Sequence, residues 1–330
     1  MSMRPIRLPQ DLKPLTDMLV RTFQYPEHPE WSIKPDEQED IVQTIRSLRR
    51  LWPLLRVFQV FSPSLRDIFR GFVWEEGGDL VGVVLTQRRG STAVWHVGVV
   101  GVLPEHRGKG IARQLLTRSL EQLRGRGAEK VILGVIDRNV PAYGLYRSLG
   151  FEHYSGVVEL NLTPTSTPRV PPLPAGVRQE TVKLSDWRVR YELDRRIAPP
   201  ELEHYDPIEI GAYRPPTMLR LFLPILRILQ RRDQRRMRID RTSDGTTVGL
   251  GRVDVPKRAG GVDSIRIALD PECPELADYL VSYHTDRAAA RGPGRRIDLS
   301  VPTWMPGVIE AAEAQGYARR LEYHLLGLNL

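Results

Sequence analysis

Two hydrophobic periods organise this chain. Ile41, Val42, Ile45, Leu48, Leu51, Leu55 and Phe58 recur at helical spacing, as do Ile111, Leu115, Leu116, Leu120 and Leu123. Around these stripes lie largely apolar runs at residues 69–74, 80–86, 93–103, 130–136 and 156–160. Runs of that length, closed by glycine, proline or acidic residues, predict strands. The first two flank Glu75-Glu76-Gly77-Gly78-Asp79 and so predict a hairpin. Residues 4–9 add a first strand and residues 11–23 a first helix, followed by a loop carrying Pro26, Pro29 and Trp31. Asp36, with Glu39 three residues on, predicts a helix start, and Pro53 predicts a kink or a break in the long helix beyond it.

The pattern changes after residue 161. Pro164, Pro168, Pro171, Pro172 and Pro174 fall among Thr and Ser, which predicts an extended, semi-rigid linker over residues 162–176. The first half's signature then returns in order. Residues 48–59 match 219–230, with Pro53 and Pro224, two arginines and the final glutamine coinciding. Residues 79–84 match 245–250, residues 93–103 match 262–270, and Gly150-Phe151 matches Gly316-Tyr317. Ordered matches of this kind predict a tandem duplication, with one copy in residues 1–161 and the other in 177–330.

Composition narrows the class. A chain of 330 residues is long enough to bury two cores. Its one cysteine, Cys273, excludes an internal disulfide and a Cys-rich zinc site, and the seven histidines show no metal-ligand spacing, so no metal is expected. The start of the chain is too polar for a signal peptide and no apolar run has the length of a membrane span. A cytoplasmic protein without a membrane partner is expected. The net charge is +8, carried by 42 arginines and only 6 lysines. Arg231, Arg232, Arg235, Arg236, Arg238 and Arg241 are the densest basic cluster. They read as a solvated face, with a basic RNA-binding module as the alternative; no RNA-binding motif accompanies them, and no nucleic-acid partner is expected.

The chemistry gathers at Val99-Val100-Gly101-Val102-Leu103-Pro104-Glu105-His106-Arg107-Gly108-Lys109-Gly110-Ile111-Ala112, which reads as strand, glycine loop, helix. Such a loop aims free N–H groups and a helix dipole at one spot, and glycine lets an anion reach them. A phosphate or pyrophosphate is the natural guest. The spelling is not that of a P-loop, because Gly110 follows Lys109, nor that of a dinucleotide fingerprint, because Arg113 replaces the third glycine. What fits is Arg-x-x-Gly-x-Ala, from Arg107 to Ala112, preceded by Val102-x-Pro104. About thirty residues later come a second strand and then Asn139, Ala142, Leu145, Tyr146, Gly150 and Phe151, in the order Asn-x-x-Ala-x-x-Leu-Tyr-x-x-x-Gly-Phe.

Together these stretches resemble the GNAT (Gcn5-related) N-acetyltransferases. The resemblance implies a mixed α/β fold, with a largely antiparallel sheet flanked by helices in two tandem domains. It implies acetyl-CoA as acyl donor, an amine as acceptor, and transfer by direct attack. Val100, Gly101 and Val102 would lie along the pantetheine arm, and Arg107, Gly108, Lys109, Gly110, Ile111 and Ala112 would cradle the pyrophosphate. Arg113 and Asn139 would lie close by. Tyr146 takes the family's place for a general acid, and His96, six residues before Val102, the place for a base. Glu75 and Glu105 are weaker candidates for the base, and Glu105, just before the loop, reads as a turn residue. A non-enzymatic acyl-CoA sensor is the alternative that dispenses with Tyr146.

The second copy reads differently. Cys273-Pro274-Glu275-Leu276-Ala277 replaces the glycine loop, and residues 304–315 contain no tyrosine. No glycine remains to admit a pyrophosphate, and Glu275 would repel one. Residues 177–330 are expected to be non-catalytic. The acceptor pocket is expected among residues 23–61, where Trp31, Trp52 and Phe58 are candidate lining residues.

Overall fold

A computed structural model describes residues 2–61, 67, 70–215, 232–257, 261–290 and 294–330. The match between residues 48–59 and 219–230, and Arg231 of the basic cluster, lie wholly or partly outside the described residues. The first half runs β1 (Ser2–Pro5), α1 (Leu12–Thr22), α2 (Pro35–Phe61), β2 (Arg70–Glu76), β3 (Asp79–Arg88) and β4 (Val94–Val102). It continues with α3 (Ile111–Arg124), β5 (Lys130–Ile136), α4 (Val140–Ser148) and β6 (Glu152–Leu162). The second half runs β7 (Val177–Thr181), α5 (Arg188–Ile197), α6 (Pro200–Tyr205), α7 (Ile210–Tyr213), β8 (Arg232–Arg241) and β9 (Thr247–Pro256). After β10 (Asp263–Leu269) come α8 (Ala277–Ala289), β11 (Ile297–Pro302), α9 (Pro306–Ala314) and β12 (Ala318–Asn329). Residues 163–176 contain neither helix nor strand.

Local chemistry moves several boundaries from where the sequence pattern puts them. β1 stops at Pro5 because the Asp11 carboxylate captures the Arg7 N–H at 2.6 Å and the Arg4 guanidinium at 2.7 Å, turning the chain into α1. α2 begins at Pro35, one residue before Asp36, and Glu37 accepts the Lys34 N–H at 3.0 Å. Its capping glutamate is therefore Glu37 rather than Glu39. α2 also passes through Pro53 without dividing. Pro53 and Arg49 are both exposed, so water can take the Arg49 carbonyl left unpaired by the ring.

Among the described residues, twelve strands form one sheet in the order β1-β2-β3-β4-β5-β12-β6-β11-β10-β9-β8-β7. Each half lays down its first five strands in sequence, then gives its last strand to the other. β12 runs antiparallel between β5 and β6, pairing Tyr323 with Ile136 on one side and with Val157 on the other. β6 in turn pairs with β11, placing Val157 opposite Pro302. Residues directly opposite share a face, so Ile136, Tyr323, Val157 and Pro302 form one row spanning both halves.

The hydrophobic cores follow this exchange. Leu326 of β12 is fully buried among Leu133, Val135 and Phe151 in the first-half core. Val158 and Leu160 of β6 belong to the second-half core with Leu299 and Val301. α3 reaches the sheet over Gly82, where a Cβ would stand 2.9 Å from Ile111, and α1 approaches the opposite face over Gly101.

Candidate active site

β4 and β5 are parallel neighbours only from Val94↔Lys130 to Val97↔Leu133. Beyond that point they separate. Gly98 is the extra residue of a bulge against β3, where pairing steps from Val97↔Thr86 to Val99↔Leu85. After the bulge β4 follows β3, while Gly134, Val135 and Ile136 follow β12. Val99 to Val102 therefore face a wedge-shaped cleft on the β5 side, with unpaired main-chain groups along it.

At the open end of this wedge Leu103 leads into a single tight turn, Pro104–His106, and then the loop. Gly108 and Gly110 both adopt left-handed backbone, with φ of +76° and +75°. That conformation is open to glycine and strained for other residues. Among the described residues, the N–H groups of residues 108–113 donate to no backbone carbonyl; the first to do so is Gln114, to the Gly110 carbonyl at 3.1 Å. A run of free N–H groups at the positive end of α3 is an anion cradle. No protein atom lies within 4 Å of a Cβ built on Gly108, and on Gly110 only the Gln114 amide does, at 3.9 Å. The space above the loop is open to a ligand.

The side chains in this stretch divide the work. Arg107 donates to the Thr22 carbonyl at 2.8 Å and the Val102 carbonyl at 3.2 Å, and its guanidinium lies 5.2 Å from the Tyr25 ring centroid. It pins the end of α1 to the end of β4 and shapes the cradle from below. Gly101 has a packing duty, since a Cβ there would meet the Thr22 methyl at 2.9 Å. Lys109 is exposed, Ile111 is buried and Ala112 is half-buried. Arg113 donates to Ser148 at 2.8 Å, tying α3 to α4. Asn139 caps α4, its side-chain oxygen accepting the Ala142 N–H at 3.2 Å.

Tyr146 lies on α4 beside the wedge. Gly150 takes the left-handed position after the helix at φ +92°, and the Phe151 N–H returns to the Tyr146 carbonyl at 3.1 Å. The Gly-Phe ending thus fixes the turn that carries the tyrosine. The phenol is only 7% exposed, which raises its pKa, and the nearby Tyr25 hydroxyl adds to the rise. Tyr25 is raised by burial too, against a pull downward from Arg107. Both phenols therefore hold their protons at neutral pH.

His96 lies on the opposite face of the sheet from Trp95, half-buried beside Gln87. Burial lowers its pKa and the positive Arg89 lowers it further, so the ring is neutral at pH 7. The Gln87 side-chain amide stands 3.4 Å from Nδ1. With the amide N–H toward Nδ1 the ring proton sits on Nε2; the flipped amide leaves Nε2 free to accept a proton. Glu75 and Glu105 are committed elsewhere, to Arg4 and Arg21, each at 2.7 Å.

Several groups at this end of the sheet carry no sequence signal. Tyr25 stands between Arg107 and Tyr146, and Trp31 packs edge-on to it at 5.7 Å. Tyr323, from β12, interacts with Tyr25, Glu159 and Glu37. Glu37 receives Arg296 at 2.6 Å and Arg320 at 3.0 Å, both from the second half. Trp52 is half-buried on α2, and the side chain of Phe58 lies outside the described residues.

Among the described residues, the second half shows no comparable cradle. Leu276 and Ala277, at the position of the loop, have φ of −84° and −60°, and the Leu276 side chain is fully buried. Much of the basic cluster is paired with acids. Arg238 reaches Glu180 at 2.6 Å and Asp240 at 3.1 Å, Arg241 reaches Asp244 at 3.4 Å, and Arg232 reaches Asp254. Among the described residues, no group of His, Cys, Asp and Glu is arranged to hold a metal ion, and no helix is long and apolar enough to cross a membrane.

Comparison with known proteins gives this geometry a context. Residues 20–151 match the acetyltransferase (GNAT) family. A mycothiol acetyltransferase of Thermobispora bispora is 42% identical over 89 residues, which is 26% of this chain and 30% of that protein. One from Thermobifida fusca is 43% identical over 94 residues, 28% of each chain. The matched segment thus spans less than a third of these relatives. A tandem GNAT protein from the clavulanic acid biosynthesis pathway superposes with a TM-score of 0.67 at 13% identity, covering 99% of this chain and 98% of the other. A GCN5-related N-acetyltransferase from Sphaerobacter thermophilus gives 0.67 at 17% identity, covering 99% and 95%. These two likenesses are of fold, and they extend over both halves.

Proposed function

We propose that this chain, which carries a GNAT-family segment over residues 20–151, is an acetyl-CoA-dependent N-acetyltransferase with one working site in its first half. The observation that carries the reading is the run of free N–H groups at residues 108–113, set on two left-handed glycines at the mouth of the β4–β5 wedge. That cradle suits the pyrophosphate of coenzyme A, and the unpaired edge of β4 suits its pantetheine arm as an added strand. The curated relatives, named mycothiol acetyltransferases, support acetyl transfer to a small-molecule acceptor.

In the reaction the acceptor nitrogen attacks the thioester carbon, the N–C bond forms, and the C–S bond breaks. His96 takes the proton that the amine loses. Tyr146 supplies a proton to the departing sulphur. A phenol at its ordinary pKa of about 10 is a weaker acid than a thiol at about 8.5, so protonating a solvated thiolate would be uphill by about 2 kcal/mol. Burial raises Tyr146 and so would widen that gap, but a thiolate formed beside it in the same low-polarity surroundings is destabilised as well, which offsets the rise.

Calorimetric titration with acetyl-CoA tests the reading. One site per chain is expected, with affinity lost in Gly110→Val. Two sites would mean that the second half also binds. Absence of binding at millimolar ligand would overturn the proposal.

A further inference from the structure

The row Ile136, Tyr323, Val157 and Pro302 forms a floor that neither half owns. Glu159 is two residues beyond Val157 on β6, so its side chain shares that face, opposite Leu321 and Ser300. The N-terminal turn of α2 stands over the same face, held by Arg296 and Arg320 through Glu37. Tyr25 closes the side toward Tyr146.

Around this floor the charges are unequally committed. Asp36, Glu37 and Asp298 all receive hydrogen bonds from Arg296, at 3.2, 2.6 and 2.9 Å. Glu159 is half-buried beside them and interacts with Arg320, Arg296, Asp298, Glu37 and Tyr323. Among the described residues it forms no side-chain hydrogen bond or ion pair. A half-buried carboxylate without a donor of its own is less well solvated than one in open water and gains from a cationic partner.

Its distance from the reacting centre decides which cation. The wedge opens beside β5; β12 lies next, and β6 beyond it. Two strand spacings put Glu159 about 10 Å from β5. That is too far to take a proton from an amine attacking in the wedge, and suitable for a second charge on the same molecule.

We propose that Glu159 binds a non-reacting ammonium group of the acceptor, so that the preferred substrate is a flexible diamine or polyamine reaching from the wedge to the shared floor. This inference rests on the acetyl-transfer reading above. It makes the second half part of substrate recognition, through β11 and β12, although no cofactor loop is found among that half's described residues.

The test compares hexamethylenediamine with hexylamine, which differ by one terminal amine, in a thiol-release assay at saturating acetyl-CoA. Wild type should favour the diamine in kcat/KM by about tenfold or more, the factor that corresponds to about 1.4 kcal/mol. In Glu159→Gln the ratio should fall to about one, while Glu159→Asp keeps part of it. The acetyl-CoA dissociation constant of each variant reports an intact fold. A wild-type ratio near one, or a Glu159→Gln enzyme that keeps the preference, overturns the proposal. If neither amine turns over, calorimetry of hexamethylenediamine on the coenzyme A complex decides. Binding lost in Glu159→Gln upholds the site and points the failure at the transfer reading; no binding, or equal binding, overturns the site.

Discussion

Replacing Leu326 by alanine tests whether the exchanged strands make the two halves one cooperative unit. Leu326 is in the second half of the sequence, yet it is fully buried in the first-half core, opposite Leu133 on β5 and His153 on β6. Truncating a buried leucine costs about 2–5 kcal/mol, depending on how far the surroundings collapse. Here the backbone is hydrogen-bonded on both sides, to β5 and to β6, and cannot move inward. We therefore expect the upper part of that range, about 3–5 kcal/mol. At a urea slope of about 3 kcal/mol per M, the midpoint falls by roughly 1 M or more. Single-tryptophan variants supply separate probes, Trp95 in the first-half core and Trp304 beside the second. Both should report one transition, shifted equally. Two separable transitions, with only the Trp304 signal moved by Leu326→Ala, would refute the reasoning. So would a destabilisation below about 1 kcal/mol.

The remaining expectations concern the site and its supports. Tyr146→Phe should lower turnover by about 10²–10⁴ with little change in acetyl-CoA affinity, measured by steady-state kinetics and calorimetry; unchanged turnover with chemistry limiting removes Tyr146 from its role and favours the acyl-CoA sensor. Gly110→Ala puts a side chain on left-handed backbone, costing about 1–2 kcal/mol, and crowds the cradle; acetyl-CoA affinity should drop at least about tenfold, and unaltered affinity would exclude the loop as the phosphate site. His96 must be neutral to accept a proton, and its pKa is lowered below 6.5, so kcat/KM should be level at pH 7 and fall on the acid side of that value. His96→Asn should remove that acid limb, and a limb that persists assigns it to another group. Burial pushes Glu37 up, but hydrogen bonds from Arg320 and the Lys34 N–H outweigh it and leave the carboxyl below its ordinary value. The stability it contributes is present above the unfolded value, about 4.3, and is lost as pH falls through the folded one. Glu37→Gln should therefore cost about 1–3 kcal/mol at pH 7, with the gap closing below about pH 4; a gap independent of pH would refute the ionic account.

What could be read from the sequence was local. The glycine loop, the strand before it and the Leu-Tyr helix depend on contacts within a few dozen residues, and glycine, proline and apolar spacing encode them directly. The same holds for the hairpin at Glu75-Glu76-Gly77-Gly78-Asp79. Pro53 misled because its helix-breaking tendency depends on whether water can reach the freed carbonyl, which spacing alone does not say. Asp36 misled for a similar reason, since Pro35 had already set the helix start. Partners of high sequence separation were illegible. Nothing around Glu37 announces Arg320, 283 residues away, and nothing in β12 marks Tyr323 as a wall of a first-half cleft. Arg107, placed in the cradle by motif, serves it through backbone carbonyls of α1 and β4.

The exchange of end strands also sets a timetable for biosynthesis. Once β6 has followed β5 out of the ribosome, roughly 160 residues are still to be made before the strand that belongs between them is reached. At about 5–20 residues per second, that is a delay of roughly 8–30 s. Throughout it, the facing edges of β5 and β6 lack their partner and offer open ladders to any passing strand. The nascent first half therefore needs its central slot kept vacant, and the polar β6 residues Glu152, His153, Ser155 and Glu159 help to keep apolar strands out. Catalytic competence should appear late and abruptly in translation, when residues 318–329 enter the slot and join both halves into one sheet.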